Sequence, residues 1–279
     1  MLKKILLFIA LTISLVSQSK TIIWDLGSTL FKTSHLTFAR KIGLDKFIAY
    51  AVMDLRSPNI KPIVFDILNK MHPNDESPSE IATDNDGNPL PVIMERWLAG
   101  LITDNEIMKS VSDYFGHLEK QKYFVSNRQK NLVFATIEQM FNPHTMAAAT
   151  KPIKAGIKLL NECYYAKNPD GSPRNSLFVL SNWDEASFKL VKAKYAQIFD
   201  NCFDSRHIII SGAIGLIKPN KDAYLYVLNT YDLDPKDCIF IDDQCVNILA
   251  AESVGITAIL LCNSNYQNVR TNLIALGAL

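Results

Sequence analysis

Short apolar runs rich in β-branched residues constrain the fold of this 279-residue chain more than any other feature. They lie at residues 21–24, 176–180, 207–210, 238–241 and 257–261. Continuous runs of this length are typical of strands that are buried on both faces. The last four alternate with stretches of helical spacing at 186–198, 221–230 and 247–254. This alternation predicts right-handed crossovers and therefore an α/β fold with a doubly wound parallel sheet.

The gap between the first and second runs is far too long for one crossover connection. Helical spacing dominates it from residue 36 to 55 and from 95 to 141, which predicts an inserted helical module. Between these stretches, residues 72–91 are rich in Pro, Asp, Asn and Ser and predict a long surface loop containing a plain turn at 84–88. We therefore assign residues 20–33 and 151–279 to the core and residues 34–150 to the insertion.

The amino terminus has the pattern of a signal peptide. Lys3 and Lys4 precede an apolar run at residues 5–16, and Ser17-Gln18-Ser19 follows as a cleavage site with small residues. A helix over this run spans about 18 Å, which is short of the roughly 30 Å of a bilayer core. We therefore expect residues 1–19 to be cleaved, with export to the periplasm or the medium and no permanent membrane span.

Composition narrows the choice of partners. A chain that is 48% hydrophobic and 20% charged can bury a sizeable core, and its formal net charge of +1 without a basic cluster gives no reason to expect a nucleic acid partner. The 5 cysteines show neither a disulfide framework nor zinc-ligand spacing. Cys238 and Cys262 fall in the apolar runs, and buried free thiols are expected. Nothing in the sequence specifies an oligomeric state.

Polar residues follow the strand-like runs where each of them ends. They are Asp25, then Ser181 and Asn182, then Lys218, and finally Asp242 with Asp243. Because the carboxyl ends of parallel strands share one edge of a sheet, these side chains are expected to meet in a single crevice. Such a set suits phosphoryl transfer: a carboxylate attacks phosphorus, a lysine neutralises phosphate oxygens, and two adjacent carboxylates offer the hard oxygen ligands that Mg²⁺ prefers.

Each of these residues also has a structural interpretation. Asp25 could stabilise a turn, Lys218 could cap the preceding segment or form a surface ion pair, and the Asp242-Asp243 pair could cap the following helix. His35 follows the first strand closely and is interpreted as a solvated or packed histidine, with replacement of a missing catalytic acid as the alternative.

The order of these motifs resembles that of the haloacid dehalogenase-like (HAD) hydrolase superfamily. The motifs are WDLGST at 24–29, LSNWD at 180–184, GLIKP at 215–219 and FIDDQCVN at 240–247. The resemblance extends from about residue 21 to 262. It implies a Rossmann-like core. It also implies that the inserted helical module is a cap domain, which closes over the site and selects small phosphorylated molecules.

The resemblance also implies a role for each candidate residue. Asp25 is then the nucleophile that forms a phosphoaspartate, and Lys218 orients both the nucleophile and the phosphate. Ser181 and Asn182 bind the phosphoryl group. Asp242 and Asp243 hold Mg²⁺, together with Asp25 and the Gly27 carbonyl.

Gly27 departs from the usual phosphatase pattern of the superfamily. Most such phosphatases have a second aspartate two residues after the nucleophile, where it protonates the leaving oxygen and then activates water. Asp-Leu-Gly versions occur in one branch that includes sugar-phosphate phosphatases, and general acid–base catalysis contributes about a hundred- to ten-thousand-fold. A slow phosphatase, or one that uses another proton donor, is therefore expected. A metal-independent haloacid dehalogenase and a catalytically impaired phosphate-binding or interaction protein are the alternatives.

Overall fold

A computed structural model of the protein describes residues 19–57, 59–71, 82–84 and 87–279. The predicted signal peptide therefore lies outside the described residues, apart from Ser19, and so do residues 72–81, 85 and 86 of the predicted loop. Among the helices that are described, none has both the length and the apolar character needed to cross a bilayer.

The elements alternate as the sequence predicts. The strands are β1 (Lys20–Trp24), β2 (Phe31–Thr33), β3 (Thr150–Pro152), β4 (Asn175–Ser181), β5 (Ile208–Ile210), β6 (Cys238–Asp242) and β7 (Thr257–Leu260). The helices before β3 are α1 (His35–Ile42), α2 (Leu44–Met53), α3 (Lys61–Met71), α4 (Val92–Leu98), α5 (Asp104–Lys120), α6 (Asn127–Met140) and α7 (Pro143–Ala149). Those after β3 are α8 (Lys154–Tyr165), α9 (Glu185–Lys194), α10 (Ala196–Cys202), α11 (Ser211–Ile214), α12 (Lys221–Thr230), α13 (Cys245–Ser253) and α14 (Tyr266–Ala275).

The central sheet is parallel throughout and has the strand order β5-β4-β1-β6-β7. Trp24 at the end of β1 pairs with Val179 of β4 on one side and with Ile241 of β6 on the other. The first strand is therefore the middle of the sheet, and the residue that follows it lies at the centre of the carboxyl edge. The predicted α/β fold with a doubly wound parallel sheet is confirmed.

Alternate residues of β1 enter two different hydrophobic clusters. Ile22 and Trp24 pack against α8, α9 and α14 on one face, whereas Ile23 packs against α12 and α13 on the other. All three side chains are at most 1% exposed. Burial on both faces explains why the strand sequences are continuously apolar, with no polar alternation.

The described helices α1 to α6, which lie between β2 and β3, share a hydrophobic cluster of their own. Trp97 of α4 meets Phe141 edge-on at 5.1 Å between ring centroids, and Thr103 and Glu106 form a capping box at the start of α5. The helical stretch predicted over residues 36–55 is broken in two at Gly43, which has φ 108° and donates its N–H to Ala39 O. Such a backbone conformation ends a helix at little cost only in glycine.

The insertion joins the core through a two-stranded antiparallel ribbon. Phe31 of β2 pairs with Pro152 of β3, and Thr33 pairs with Thr150. The ribbon brings the two chain connections side by side. The division into a core of residues 20–33 and 151–279 and an insertion of residues 34–150 stays a prediction.

The cysteines depart in part from expectation. All five lie among the described residues and are free, and Cys163, Cys202 and Cys238 are buried. Cys262, however, follows β7 in a short 3-10 turn and is exposed, as is Cys245 at the start of α13. The prediction that Cys262 is a buried strand residue is wrong because β7 ends two residues earlier.

Candidate active site

The carboxyl edge of the sheet brings together side chains that are far apart in the sequence. Asp25 follows β1, and its N–H donates to Ile241 O at 2.9 Å, which continues the ladder between β1 and β6 by one residue. Ser181 is the last residue of β4, and Asp242 is the last residue of β6. The expectation that the strand ends share one crevice therefore holds for these three residues.

Lys218 is the centre of this arrangement. Its Nζ donates to Asp25 Oδ1 at 2.8 Å and to Asp242 Oδ2 at 2.6 Å, and the side chain is 1% exposed. Ser181 Oγ donates to the same Asp25 Oδ1 at 3.0 Å. Neither a surface ion pair nor a helix cap describes Lys218. One oxygen of Asp25 is thus held by two donors, which fixes the orientation of the carboxylate.

The other oxygen of Asp25, Oδ2, is buried and has no hydrogen-bond partner among the described residues. A buried carboxylate oxygen without a donor is costly unless a ligand or ion supplies one. This oxygen is therefore the atom of the site that is most available to a ligand.

Both carboxylate oxygens of Asp242 accept hydrogen bonds. Its Oδ1 accepts from Gln244 N at 2.8 Å, and both of its oxygens accept from Asn247 Nδ2 at 3.0 Å, in addition to the bond from Lys218. Asp243, in contrast, is half-buried, and it lines the same cleft. Sequence reasoning left Asn247 outside the site. Its position five residues after Asp242, on the first turn of α13, was the available signal.

The side-chain amide of Asn182 forms hydrogen bonds with the main chain of Lys218. Its Nδ2 donates to Lys218 O at 2.7 Å, and its Oδ1 accepts from Lys218 N at 2.8 Å. This reciprocal pair holds the loop before α12 so that the lysine side chain extends into the sheet edge. The side-chain amide is therefore occupied by a positioning contact, and the predicted binding of a phosphoryl group by Asn182 stays a prediction.

The electrostatics of the cluster show an excess of negative charge. Burial raises the pKa of Asp25 to about 6, with Lys218 opposing and Asp242 reinforcing the change. Burial also raises the pKa of Asp243 to about 7, and the nearby charges of Asp25 and Asp242 add to it. Burial by itself would lower the pKa of Lys218, but the carboxylates of Asp242 and Asp25 outweigh it and raise that pKa. The ammonium of Lys218 thus faces the negative charge of three carboxylates.

The donor set fits a magnesium ion. Within the described part of the chain, no three acidic, histidine or cysteine side chains form a ready-made metal cage. Mg²⁺ rarely uses such a cage, because it keeps several waters and binds through one or two carboxylates plus substrate phosphate. Asp243 has open positions, and Asp25 can offer one carboxylate oxygen to the ion and the other to a substrate. Asp242 would have to exchange one of its hydrogen bonds.

Gly27 adjoins the open oxygen of Asp25. A Cβ atom added to Gly27 would lie 3.9 Å from Asp25 Oδ2 and would meet nothing closer, and the φ of Gly27 is not positive. Neither strain nor close packing therefore requires glycine at this position. Its effect is to leave space beside the carboxylate where the superfamily usually has an acid.

The cluster opens into a cleft of about 490 Å³ between the sheet edge and the helical insertion. Core residues that line it include Asp25, Gly27, Ser181, Asn182, Lys218, Asp242, Asp243, Gln244 and Asn247. His35, Lys61 and Met94 contribute from the insertion. Of these, sequence reasoning considered only His35, which is exposed. Lys61 and Met94 had no local signal, because their place in the cleft depends on how the helices pack.

The insertion contacts the core at the margins of the cleft. A Cβ atom added to Gly100 would lie 2.4 Å from Gly212 O, so the two backbones meet as closely as only glycine permits. Ser211 Oγ donates to Leu98 O at 2.7 Å, and Gln244 Nε2 donates to Thr83 O at 3.3 Å. The structure is therefore one in which the insertion covers the cleft.

A parallel sheet with an acid at the end of its central strand and a helical insertion over it is the architecture of a Rossmann-like α/β domain that carries a cap. The sequence profile of the haloacid dehalogenase-like hydrolases matches residues 19–255. The chain belongs to this family.

Individual relatives are similar to shorter parts of the chain. The chain is 28% identical to drimenol cyclase drtB from Aspergillus calidoustus over 120 residues, which is 42% of this chain and 21% of that protein. It is 26% identical to sesquiterpene phosphatase astK from Aspergillus oryzae over 91 residues, which is 32% of this chain and 43% of that protein. The match thus spans less than half the length of either relative.

A solved structure shows the same fold. The crystal structure of a HAD family enzyme from Bacteroides thetaiotaomicron superposes with a TM-score of 0.51 at 16% identity, covering 87% of this chain and 93% of that one.

Proposed function

We propose that the protein is a magnesium-dependent phosphatase that forms a phosphoaspartate on Asp25. The observation that carries the proposal is the state of that carboxylate: Lys218 and Ser181 hold Oδ1, while Oδ2 is buried, unpartnered and next to the cleft. An oriented carboxylate with one open oxygen is what in-line attack on phosphorus requires. Family membership and a phosphatase among the relatives support the same reaction.

The proposed reaction has two steps. Asp25 Oδ2 forms a bond to phosphorus while the ester bond breaks, and the alcohol leaves with a proton. Water then attacks the same phosphorus, which releases inorganic phosphate and restores the carboxylate. Lys218 lies beside the attacking group and stabilises charge on the transferring phosphoryl oxygens.

Asp25, Asp243 and the Gly27 carbonyl would hold Mg²⁺, with Asp242 completing the predicted set. The ion would offset the repulsion between the carboxylate and the phosphate. Gly27 supplies no proton, so release of the alcohol depends on water or on another group of the cleft.

A panel of substrates tests the proposal. Purified protein is assayed with aryl, acyl and alkyl phosphates in Mg²⁺ and in EDTA, and with 2-haloacids in EDTA. We expect phosphate release that requires Mg²⁺ and is fastest on aryl and acyl phosphates. Halide release without metal would instead identify a dehalogenase, and no turnover of either class would identify an impaired phosphate-binding protein.

We propose in addition that the protein is exported after cleavage between Ser19 and Lys20. Lys20 is the first residue of β1, and its Nζ pairs with Asp237 at 2.9 Å, so cleavage there would leave the central strand complete. Intact-mass analysis of protein from the extracytoplasmic fraction tests this, and soluble cytoplasmic protein that retains Met1 would contradict it.

A further inference from the structure

A second cavity lies inside the helical insertion, and we call it the apolar pocket. It has a volume of about 530 Å³, and its wall includes Phe38, Phe47, Val64, Phe65, Trp97 and Met140. Its volume is in the range of ligand sites, and its wall is mainly aromatic and aliphatic, so it can accept an apolar group.

The apolar pocket adjoins the active-site cleft. His35, Lys61 and Met94 line both cavities. His35 begins α1, Lys61 begins α3, and Met94 belongs to α4, so three different helices border both cavities. A molecule whose one end lies at Asp25 can therefore extend past these three side chains into the pocket.

The chemical character changes along this path. The cleft has the carboxylates, the lysine and the amides of the sheet edge, whereas the pocket wall is mainly aromatic and aliphatic. Phe38, Phe65 and Met140 remain half-exposed in the pocket although they pack against the cluster of the insertion. Contact between their exposed surface and a hydrocarbon group would favour binding, because apolar surface is removed from water. Hydroxyl groups buried there without hydrogen-bond partners would weaken binding.

We propose that the substrate is a phosphate monoester of an apolar alcohol, with its phosphate at Asp25 and its hydrocarbon group in the apolar pocket. This inference rests on the proposed phosphatase function and names its substrate class. A sugar phosphate of the same size would place several hydroxyl groups against aromatic and aliphatic side chains. The pocket therefore selects substrates by the apolar area that they bury.

Binding of alkylphosphonates tests the inference without depending on turnover. Ethyl-, butyl- and octylphosphonate are titrated by calorimetry into the full-length protein in Mg²⁺, below the concentration at which octylphosphonate forms micelles. We expect the Kd to fall by up to about fourfold for each methylene that enters the pocket. The heat-capacity change on binding should become more negative with chain length, because apolar surface is removed from water.

A matched pair of variants locates the effect. Met140→Gln places a near-isosteric polar side chain in the pocket wall, and Met108→Gln makes the same change in another half-buried methionine of the insertion that does not line the pocket. We expect Met140→Gln to lower the ratio of octyl- to ethylphosphonate affinity by about fivefold or more, because an amide without partners meets the alkyl chain. Met108→Gln should keep the parental ratio.

The outcomes separate the two proposals. Affinity that rises with chain length and is reduced only by Met140→Gln supports the apolar substrate class. Phosphonates that bind equally well at every length, or an equal effect of both variants, overturn this inference and leave the phosphatase proposal standing. If no phosphonate binds, the phosphate site itself is wrong, and the substrate class fails with it.

Discussion

The carboxylates of Asp25 and Asp243 at the sheet edge differ from those of Asp54 and Asp66 in the helical insertion in how well neighbouring groups satisfy their charge. In the core, burial raises the pKa of Asp25 to about 6 and that of Asp243 to about 7. In the insertion, hydrogen bonds from Ser126 and Arg128 lower the pKa of Asp54, and those from Lys70 and Tyr123 lower the pKa of Asp66. Ionisation is thus unfavourable at the sheet edge and favourable among the helices.

This difference distinguishes carboxylates with the character of a functional site from carboxylates that stabilise the fold. A carboxylate whose charge is satisfied by neighbours ties two elements together, as Asp54 ties the end of α2 to the start of α6. A buried carboxylate with an open oxygen is kept at a cost in stability and is typical of a functional site. The contrast therefore predicts opposite responses of the two regions to mutation, metal and pH.

The largest effect is expected from removing the charge of Asp25. Asp25→Asn should lower turnover on the order of ten-thousand-fold or more, because the amide is nearly isosteric but cannot attack phosphorus. The fold should remain, since a neutral side chain replaces a carboxylate whose ionisation is unfavourable. Rates on an aryl phosphate and the circular dichroism spectrum check both statements.

Asp66→Asn is the matched control in the insertion, where the carboxylate accepts from Lys70 at 2.8 Å and Tyr123 at 2.6 Å. It should change turnover by no more than a few-fold. Parental activity in Asp25→Asn would disprove covalent catalysis by Asp25. Equal losses of turnover in Asp25→Asn and Asp66→Asn would show that the two regions do not differ in function.

Gly27→Asp should sharpen the comparison by adding an acid to the core. The new carboxyl lies beside Asp25, where the negative surroundings raise its pKa and favour the protonated form that a general acid needs. Because the backbone at Gly27 accepts a side chain, we expect a gain of about a hundred- to ten-thousand-fold on alkyl phosphates and little gain on aryl phosphates.

The measurement is the dependence of kcat/KM on the pKa of the leaving group in parent and variant. A parent protein that is already insensitive to the leaving group would mean that another acid is present, and His35, which lines the cleft, would be the first candidate.

Magnesium and pH should act on the core together. The raised pKa values of Asp25 and Asp243 mean that the folded state binds protons more tightly than the unfolded state, so this stability is present below about pH 4 and is lost as the pH rises through 6 to 7. In EDTA the Tm should therefore fall between pH 5 and pH 8 through these groups. Mg²⁺ at a hundred times its Kd should restore about 2.7 kcal/mol at pH 8.

At pH 5 the effect of Mg²⁺ should be much smaller, because protons compete for the same oxygens. Asp25→Asn should lose most of the response. Calorimetric melting at the two pH values measures both expectations. A Tm that Mg²⁺ leaves unchanged at pH 8 would show that the donor set has been misassigned.

The smallest effect is expected at Asp54 in the insertion. Its pKa is lowered, so its contribution to stability is present above its ordinary value of 3.8 and is lost as the pH falls through the lower folded value. Asp54→Asn should reduce the Tm by a few degrees at most near neutral pH, since the site is close to the surface. The reduction should vanish in strong acid. A reduction that persists there would point to packing and not to charge.

Much of the core could be predicted from the sequence because its signals are local. A strand buried on both faces is a continuous apolar run, and the residue after it occupies the sheet edge whatever the rest of the chain does. The sequence therefore predicts that Asp25, Ser181, Lys218 and Asp242 meet in one crevice, and the structure joins them by hydrogen bonds. The family motifs added the order of these residues.

Several features of the site had only weak local signals. The sequence assigns Asn247 no role in the site, and only the fold of α13 against β6 shows that its amide holds both oxygens of Asp242. The pKa values of Asp25 and Asp243 depend on how deeply the edge is buried beneath the insertion. A sequence specifies which groups can ionise, whereas burial decides whether they do so readily.

The sequence by itself determined the alternation of strands and helices, the polar residues that meet at the carboxyl edge of the sheet, and the existence of a helical insertion. Only the tertiary structure decided what that insertion encloses. The wall of the apolar pocket is built from residues as far apart as Phe38 and Met146, on helices whose spacing patterns specify a buried face but not the angle at which the faces meet. Cavities form from such angles, and for that reason substrate selection cannot be inferred from periodicity although the catalytic edge can.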